Sequence, residues 1–181
     1  MKFKTNSLTQ TKKIAKLLAK EITTKKSDRS RPIYLSDSET GRRTPTAVGE
    51  KNALILALVG DLGSGKTTFT QGFLRGLGIK NKITSPTFVI VKKYKIPSFA
   101  DTTAGRQNTK YKYAYHFDFY RIRKPVELFS LGFKEVLADP RNIVLIEWPE
   151  IVKKVLPKNS IWINFEHGEK ENKRIINFRN V

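Results

Sequence analysis

The apolar run Ala53 to Val59 (ALILALV) passes without a break into Gly60-Asp61-Leu62-Gly63-Ser64-Gly65-Lys66-Thr67, and this junction constrains the fold more than any other stretch. A short continuous apolar run bounded by turn residues has the length of a strand and lacks the alternation of a half-exposed one, so it reads as a central strand buried on both faces. The residues after it match G-x-x-x-x-G-K-[ST]. Thr67 to Leu77 then reads as a helix closed by Gly78. In such a loop the glycines let successive backbone N–H groups turn inward as an anion nest, and the following helix points its positive end at the same spot. Lys66 supplies charge for β and γ phosphate oxygens, and Thr67 a hydroxyl for magnesium. The expected nucleotide-binding set is therefore Asp61, Gly63, Ser64, Gly65, Lys66, Thr67 and Thr68.

Ser7-Leu8-Thr9-Gln10 has the form of a capping box, and Ile14, Leu17, Leu18 and Ile22 recur at helical spacing, predicting an amphipathic helix to about Ile22. Thr23 to Asn52 is polar and rich in Ser, Thr, Arg and Pro, with only Pro32 to Leu35 suited to extension, and reads as a mobile insertion. After the P-loop helix, Phe88 to Val91 reads as a strand entered through Thr84-Ser85-Pro86-Thr87, a polar loop placed to sense a γ-phosphate. Ile96 to Lys110 is a second polar interruption, and Tyr111 to Phe117 a strand ending at Asp118. Pro125 suits the first turn of a short helix, and Phe133 to Leu137 a further helical segment stopped by Asp139-Pro140. Ile143 to Ile146 is again wholly apolar and ends at Glu147. Ile161 to Phe165 and Arg174 to Phe178 read as a hairpin of antiparallel edge strands. The expected fold is one α/β domain over residues 1–181, in three layers, with a mainly parallel central sheet and antiparallel edge strands.

A nucleotide triphosphatase needs a carboxylate across the magnesium from the P-loop and a group that positions the attacking water. In parallel sheets such chemistry gathers beyond the carboxyl ends of the strands, and Asp118 and Glu147 both stand there. Glu147 is the expected metal ligand with Thr67; Lys66, Glu147 and Asp118 are the expected catalytic residues.

Composition narrows the remaining choices. At 181 residues the chain has the size of one domain,. It contains no cysteine, which excludes disulfides and cysteine-ligated zinc, and its two histidines make a poor metal cage, so a metal would be bound by oxygen,. No apolar stretch approaches the ~20 residues that span a bilayer, and Lys12, Lys13, Lys16 and Lys20 interrupt any signal-peptide core, so a cytoplasmic protein is expected. The net charge is +19, and residues 1–124 carry 26 Lys or Arg against 8 Asp or Glu. A field of that sign attracts polyanions, RNA and nucleotide phosphates among them.

In order along the chain, GDLGSGKTTFTQGFLRGLG, SPTF at Ser85 to Phe88, HFDFYR at His116 to Arg121, ELFSLGFKEVL at Glu127 to Leu137 and IEWPE at Ile146 to Glu150 resemble the TsaE family. The resemblance implies a bacterial P-loop ATPase that supports threonylcarbamoyladenosine modification of tRNA, with ATP and Mg2+ as cofactors. It implies that Thr67 and Glu147 bind magnesium, that Glu147 or Asp118 assists the water, that Thr87 lies in a switch loop near the γ-phosphate and that Trp148 lies at the nucleotide end of the sheet. It further implies a TsaD-type transferase subunit and a TsaB-type subunit as partners, ATP hydrolysis resetting their complex between turnovers. The basic surface is then a candidate contact for tRNA. Thr23 to Asn52 and Ile96 to Lys110 depart from the family pattern.

Two other classes fit parts of the chain. A small-molecule kinase would use the same cradle with a lid and arginine clamps, for which Arg106, Arg121 and Arg123 are the candidates. A nucleic-acid-binding module would use Tyr111, Tyr113, Tyr115 and Phe117 to stack bases, although the same alternation also packs one face onto a core.

Overall fold

A computed structural model describes residues 2–24, 33–36, 43–46, 52–97, 110–170 and 172–180. Its centre is β4 (Leu54–Val59), the expected apolar strand, which pairs in parallel with β7 (Asn142–Glu147) on one side and β8 (Ile161–His167) on the other. Beyond β7 lies parallel β6 (Tyr113–Asp118), then β5 (Val91–Lys95) as an antiparallel edge. Beyond β8, β9 (Arg174–Asn180) runs antiparallel, and β1 (Lys2–Thr5) closes that edge, giving the order β1-β9-β8-β4-β7-β6-β5. The mainly parallel centre with antiparallel edges is as the sequence predicts.

The pleat sorts side chains into two cores, and this makes three layers. Leu54, Leu56, Leu58, Ala114, Ile143 and Leu145 pack with α1 (Leu8–Thr24) and α2 (Lys66–Gly76). Ile55, Ala57, Phe117, Val144 and Ile146 face the opposite way, toward α3 (Val126–Phe129), α4 (Phe133–Ala138) and a 3-10 turn at Pro149–Val152. Among the described residues no helix is long and apolar enough to cross a membrane.

Helix α1 starts where its capping box requires: Gln10 N donates to Ser7 Oγ at 3.2 Å, while the Gln10 side chain reaches back to the N–H of Asn6 at 2.6 Å,. It then lies against α2 at two glycines. A Cβ at Gly72 would stand 2.5 Å from Lys12 O, and one at Gly76 2.7 Å from the Ala19 Cβ and 2.8 Å from Lys16 O. Two backbones that meet this closely leave no room for a side chain.

Several boundaries differ from the sequence reading. Phe88 to Ile90 form a turn rather than a strand, because the N–H groups of Val89 and Ile90 donate to Pro86 O at 2.8 and 2.7 Å; the strand begins at Val91. The hairpin of β8 and β9 is antiparallel as expected, but it does not form the edge, since β8 pairs with β4 and β9 is covered by β1, a strand too short and too basic to be foreseen. Within Thr23 to Asn52 the structure describes two strands, β2 (Ile33–Ser36) and β3 (Arg43–Thr46), paired antiparallel. The extension expected at Pro32 to Leu35 corresponds to β2, and the other residues of 25–51 lie outside the described residues, as do 98–109 of the second interruption. Ile96 belongs to the core, 3% exposed, with its N–H donating to Lys112 O at 2.9 Å.

The glycine contact yields a test. Gly72→Ala drives a methyl group into the Lys12 backbone, so it should destabilise the fold by about 1–3 kcal/mol in urea unfolding, despite the better helix propensity of alanine. Unchanged stability would mean that α1 and α2 do not meet there.

Candidate functional site

The P-loop links the end of β4 to the start of α2, and its backbone takes conformations that favour glycine: φ is 143° at Gly60, 74° at Gly63 and 104° at Gly65,. Gly60 is also a close approach, for a Cβ there would lie 2.3 Å from Phe165 O. The loop's carbonyl oxygens are engaged one after another. Lys66 Nζ donates to Gly60 O at 2.5 Å and to Asp61 O at 2.8 Å. His167 Nε2 meets Leu62 O at 3.2 Å, and Arg174 Nη2 donates to Gly63 O at 3.1 Å. With those acceptors held by lysine and by the β8–β9 hairpin, the loop is left to offer N–H groups to an anion, save that of Ser64, which donates to Asp61 O at 3.1 Å, together with the unpaired first-turn N–H groups of α2. Ser64 Oγ is buried without a partner among the described residues, a further donor at the cradle.

Lys66 is 4% exposed and lies with its Nζ 4.0 Å from the centre of the Trp148 ring,. Burial pushes its pKa below the usual lysine range, partly offset by Glu147, Glu150, Asp118 and Asp61,. Trp148 itself stands in the left-handed region, φ 59°, between the end of β7 and the 3-10 turn. Asp61 is exposed beside them, and Thr68 is half-buried in the first turn of α2.

Both candidate carboxylates are buried, Asp118 4% and Glu147 3% exposed, and they face each other in register across the parallel pair of β6 and β7. Thr67 Oγ1 donates to Glu147 Oε2 at 2.8 Å, so the two expected magnesium ligands are already together. Asp118 is held elsewhere: Oδ2 accepts from Ser85 Oγ at 2.7 Å and Thr87 Oγ1 at 2.5 Å, and Oδ1 from the N–H of Tyr120 at 3.1 Å. The polar loop expected to act as a switch is thereby tied to the end of β6. Beside the P-loop opens a cavity of about 480 Å³ lined by Asp61, Trp148, Glu150, Phe165 and His167 among others.

These residues fit a magnesium–nucleotide complex by their chemistry. Magnesium takes hard oxygen ligands, commonly one or two protein groups with substrate phosphates and water completing the shell. Thr67 and Glu147 are such a pair beside a phosphate nest, and among the described residues no cluster of three or more His, Asp or Glu offers a rival cage.

Sequence reasoning gave no role to His116, His167 or Arg174, and reached Ser85 only as part of the Thr84 to Thr87 loop. His116 Nε2 lies 2.7 Å from Glu147 Oε1. Period-two alternation in HFD carried a signal for it, since His116 and Asp118 must share a face. The bracing by His167 and Arg174 had none, because it crosses from a distant hairpin. The base-stacking alternative loses most of its platform to packing: Phe117 is 1% and Tyr111 5% exposed, Tyr115 packs against the core, Tyr113 is half-buried with Lys93 Nζ 4.0 Å from its ring centre, and burial pushes the Tyr111 hydroxyl pKa up to about 12. Of the kinase clamp candidates, Arg121 lies over the Phe88 ring at 4.3 Å, while Arg106 falls outside the described residues.

The model of the family described as threonylcarbamoyl adenosine biosynthesis protein TsaE matches residues 5–176. A TsaE of Rickettsia felis is 34% identical over 171 residues, 94% of this chain and 74% of that protein. The TsaE of Haemophilus influenzae is 38% identical over 117 residues, and there the match spans 65% of this chain and 65% of that protein. The crystal structure of YdiB from Bacillus subtilis is similar over 98% of this chain and 83% of that one, with a TM-score of 0.61 and 28% identity.

The buried ammonium predicts a pH dependence. A base whose folded pKa is lowered from 10.5 costs the fold stability while it is charged, and the cost is lifted as pH rises through the folded pKa,. Lys66→Met should therefore melt no lower than the parent at pH 7, with any advantage shrinking toward pH 10. A variant melting well below the parent at pH 7 would show that Lys66 serves the fold rather than a ligand.

Proposed function

This chain belongs to the TsaE family of threonylcarbamoyl adenosine biosynthesis proteins, and we propose that it serves that tRNA modification as a magnesium-dependent ATPase. The observation that carries this reading is the Thr67–Glu147 contact at 2.8 Å, set beside a P-loop whose carbonyl oxygens are already engaged. In this reading the loop N–H groups and Lys66 bind the triphosphate of ATP, and Trp148 and Asp61 border it. Lys66 exchanges its contacts with Gly60 O and Asp61 O for phosphate oxygens, which satisfy its charge better than neutral carbonyls do. Thr67 and Glu147 would hold Mg2+, which when bound neutralises charge on the phosphates. Glu147 lies closest to that point and is the better placed carboxylate to orient water. Asp118, whose oxygens are occupied by Ser85, Thr87 and Tyr120, instead couples the Ser85–Thr87 loop to the site.

The same reading gives the chain a TsaD-type transferase subunit and a TsaB-type subunit as partners, with hydrolysis resetting their complex between turnovers. The basic surface supports a contact with tRNA in that assembly. Exposed Lys12, Lys13, Lys16 and Lys20 lie on α1, and exposed Lys80 and Lys82 follow α2,.

Steady-state ATP hydrolysis by the purified chain, alone and with TsaB, TsaD and tRNA of the same source, tests this reading. Stimulation by the complex, lost in Lys66→Ala, is expected; phosphate appearing instead on a small acceptor would favour a kinase. Glu147→Gln should still bind ATP by calorimetry yet turn it over about 10²-fold more slowly or worse. Turnover at the parent rate would give its role to another group.

A further inference from the structure

His116 lies directly behind the Glu147 carboxylate. It is 0% exposed, stands opposite Leu145 in the parallel register of β6 and β7, and shares with Asp118 the face that looks toward α2. Its Nε2 is 2.7 Å from Glu147 Oε1, while Glu147 Oε2 accepts from Thr67 Oγ1 at 2.8 Å. The carboxylate is thus spanned by two donors from two elements, one for each oxygen. Nδ1 of the same ring is buried with no hydrogen-bond partner among the described residues. A proton there would be an unpaired buried N–H, so the ring proton belongs on Nε2, where the carboxylate accepts it. An orphaned buried nitrogen is a cost that an apolar residue in the same space would avoid. What offsets it is the bond to Glu147.

We propose that His116 is a positioning residue whose Nε2–H holds the Glu147 carboxylate in the rotamer that turns Oε2 to Thr67, so that the pair of magnesium ligands is assembled before nucleotide arrives. It touches neither nucleotide nor metal and acts only through Glu147. A carboxylate freed from this bond regains rotamer freedom and must be ordered each time the metal binds, which weakens metal binding without disturbing the P-loop. The proposal rests on Glu147 and Thr67 being the metal-binding pair.

Glutamine and asparagine separate this role from simple packing. The amide nitrogen of glutamine reaches about where imidazole Nε2 lies, whereas that of asparagine reaches only the Nδ1 position. Purified full-length His116→Gln and His116→Asn, first shown by thermal melting to be folded, are titrated with Mg2+ in the presence of ATP, binding being read by calorimetry and turnover by phosphate release. Asparagine should raise the Mg2+ requirement about 10–100-fold and lower kcat, with ATP affinity in the absence of Mg2+ unchanged; glutamine should recover most of both. Equal behaviour of the two variants, or a loss confined to metal-free ATP affinity, would overturn the proposal.

A second measurement needs no ligand. The chain has two histidines, so long-range ¹H–¹⁵N spectra have only His116 and His167 to separate, and His167→Asn assigns them. His116 should carry a proton on Nε2, and finding Nε2 without a proton would overturn the proposal. Should the parent bind Mg2+ and ATP without hydrolysing it, the ATPase reading fails while the Mg2+ titration still judges His116. A parent with no Mg2+-dependent nucleotide binding would overturn both.

Discussion

The parallel pairing of β4 with β7 is the constraint on which the rest depends. Leu54 to Leu58 lie opposite Ile143 to Glu147, so the strand that feeds the P-loop and the strand that ends in a carboxylate finish side by side. Parallel pairing needs both faces covered, and the apolar runs Leu54 to Val59 and Ile143 to Ile146 meet that demand,. Once they are in register, the helix that follows the loop has its first turn beside Glu147, and the Thr67–Glu147 contact follows from sheet geometry.

The polar site is tolerated because almost every buried group in it has a partner. Glu147 has Thr67 and His116; Asp118 has Ser85, Thr87 and the Tyr120 N–H; Lys66 has two carbonyls and the Trp148 ring. Buried ionic groups are costly unless paired and hydrogen-bonded. The partners come from four separate stretches of chain, so the site is rigid to the degree that the sheet is. Two of the buried polar atoms without a partner among the described residues, Ser64 Oγ and His116 Nδ1, lie at the cradle and behind the carboxylate, where polar atoms serve a ligand or a neighbour rather than the core.

Charge is spread differently from chemistry. Exposed lysines lie on α1, after α2 and on other elements, Lys93, Lys112 and Lys134 among them, and the cavity beside the P-loop carries Asp61, Glu150 and Glu166. A strongly basic protein therefore keeps acids near the site where a triphosphate is proposed to bind. Of these acids Asp61 and Glu150, together with Glu147 and Asp118, partly offset the burial that lowers the Lys66 pKa, and the long-range attraction of polyanions is left to the surface lysines.

What the sequence determined by itself was local and periodic. The apolar runs of β4 and β7, the glycine pattern of the loop, the capping box of α1 and the strand-end positions of Asp118 and Glu147 are each set by a few neighbouring residues, and each was legible for that reason. The tertiary structure alone decided which ends meet. The His116–Glu147 bond, the grip of His167 and Arg174 on the loop carbonyls, the glycine seam between α1 and α2 and the pairing of β9 with β1 join residues from roughly thirty to well over a hundred positions apart. No local propensity encodes such partners, because they exist only after the sheet order has been chosen. The turn at Phe88 to Ile90 belongs with them: its apolar residues suit a strand, but backbone bonds to Pro86 and the tie of Thr87 to Asp118 hold it out of the sheet.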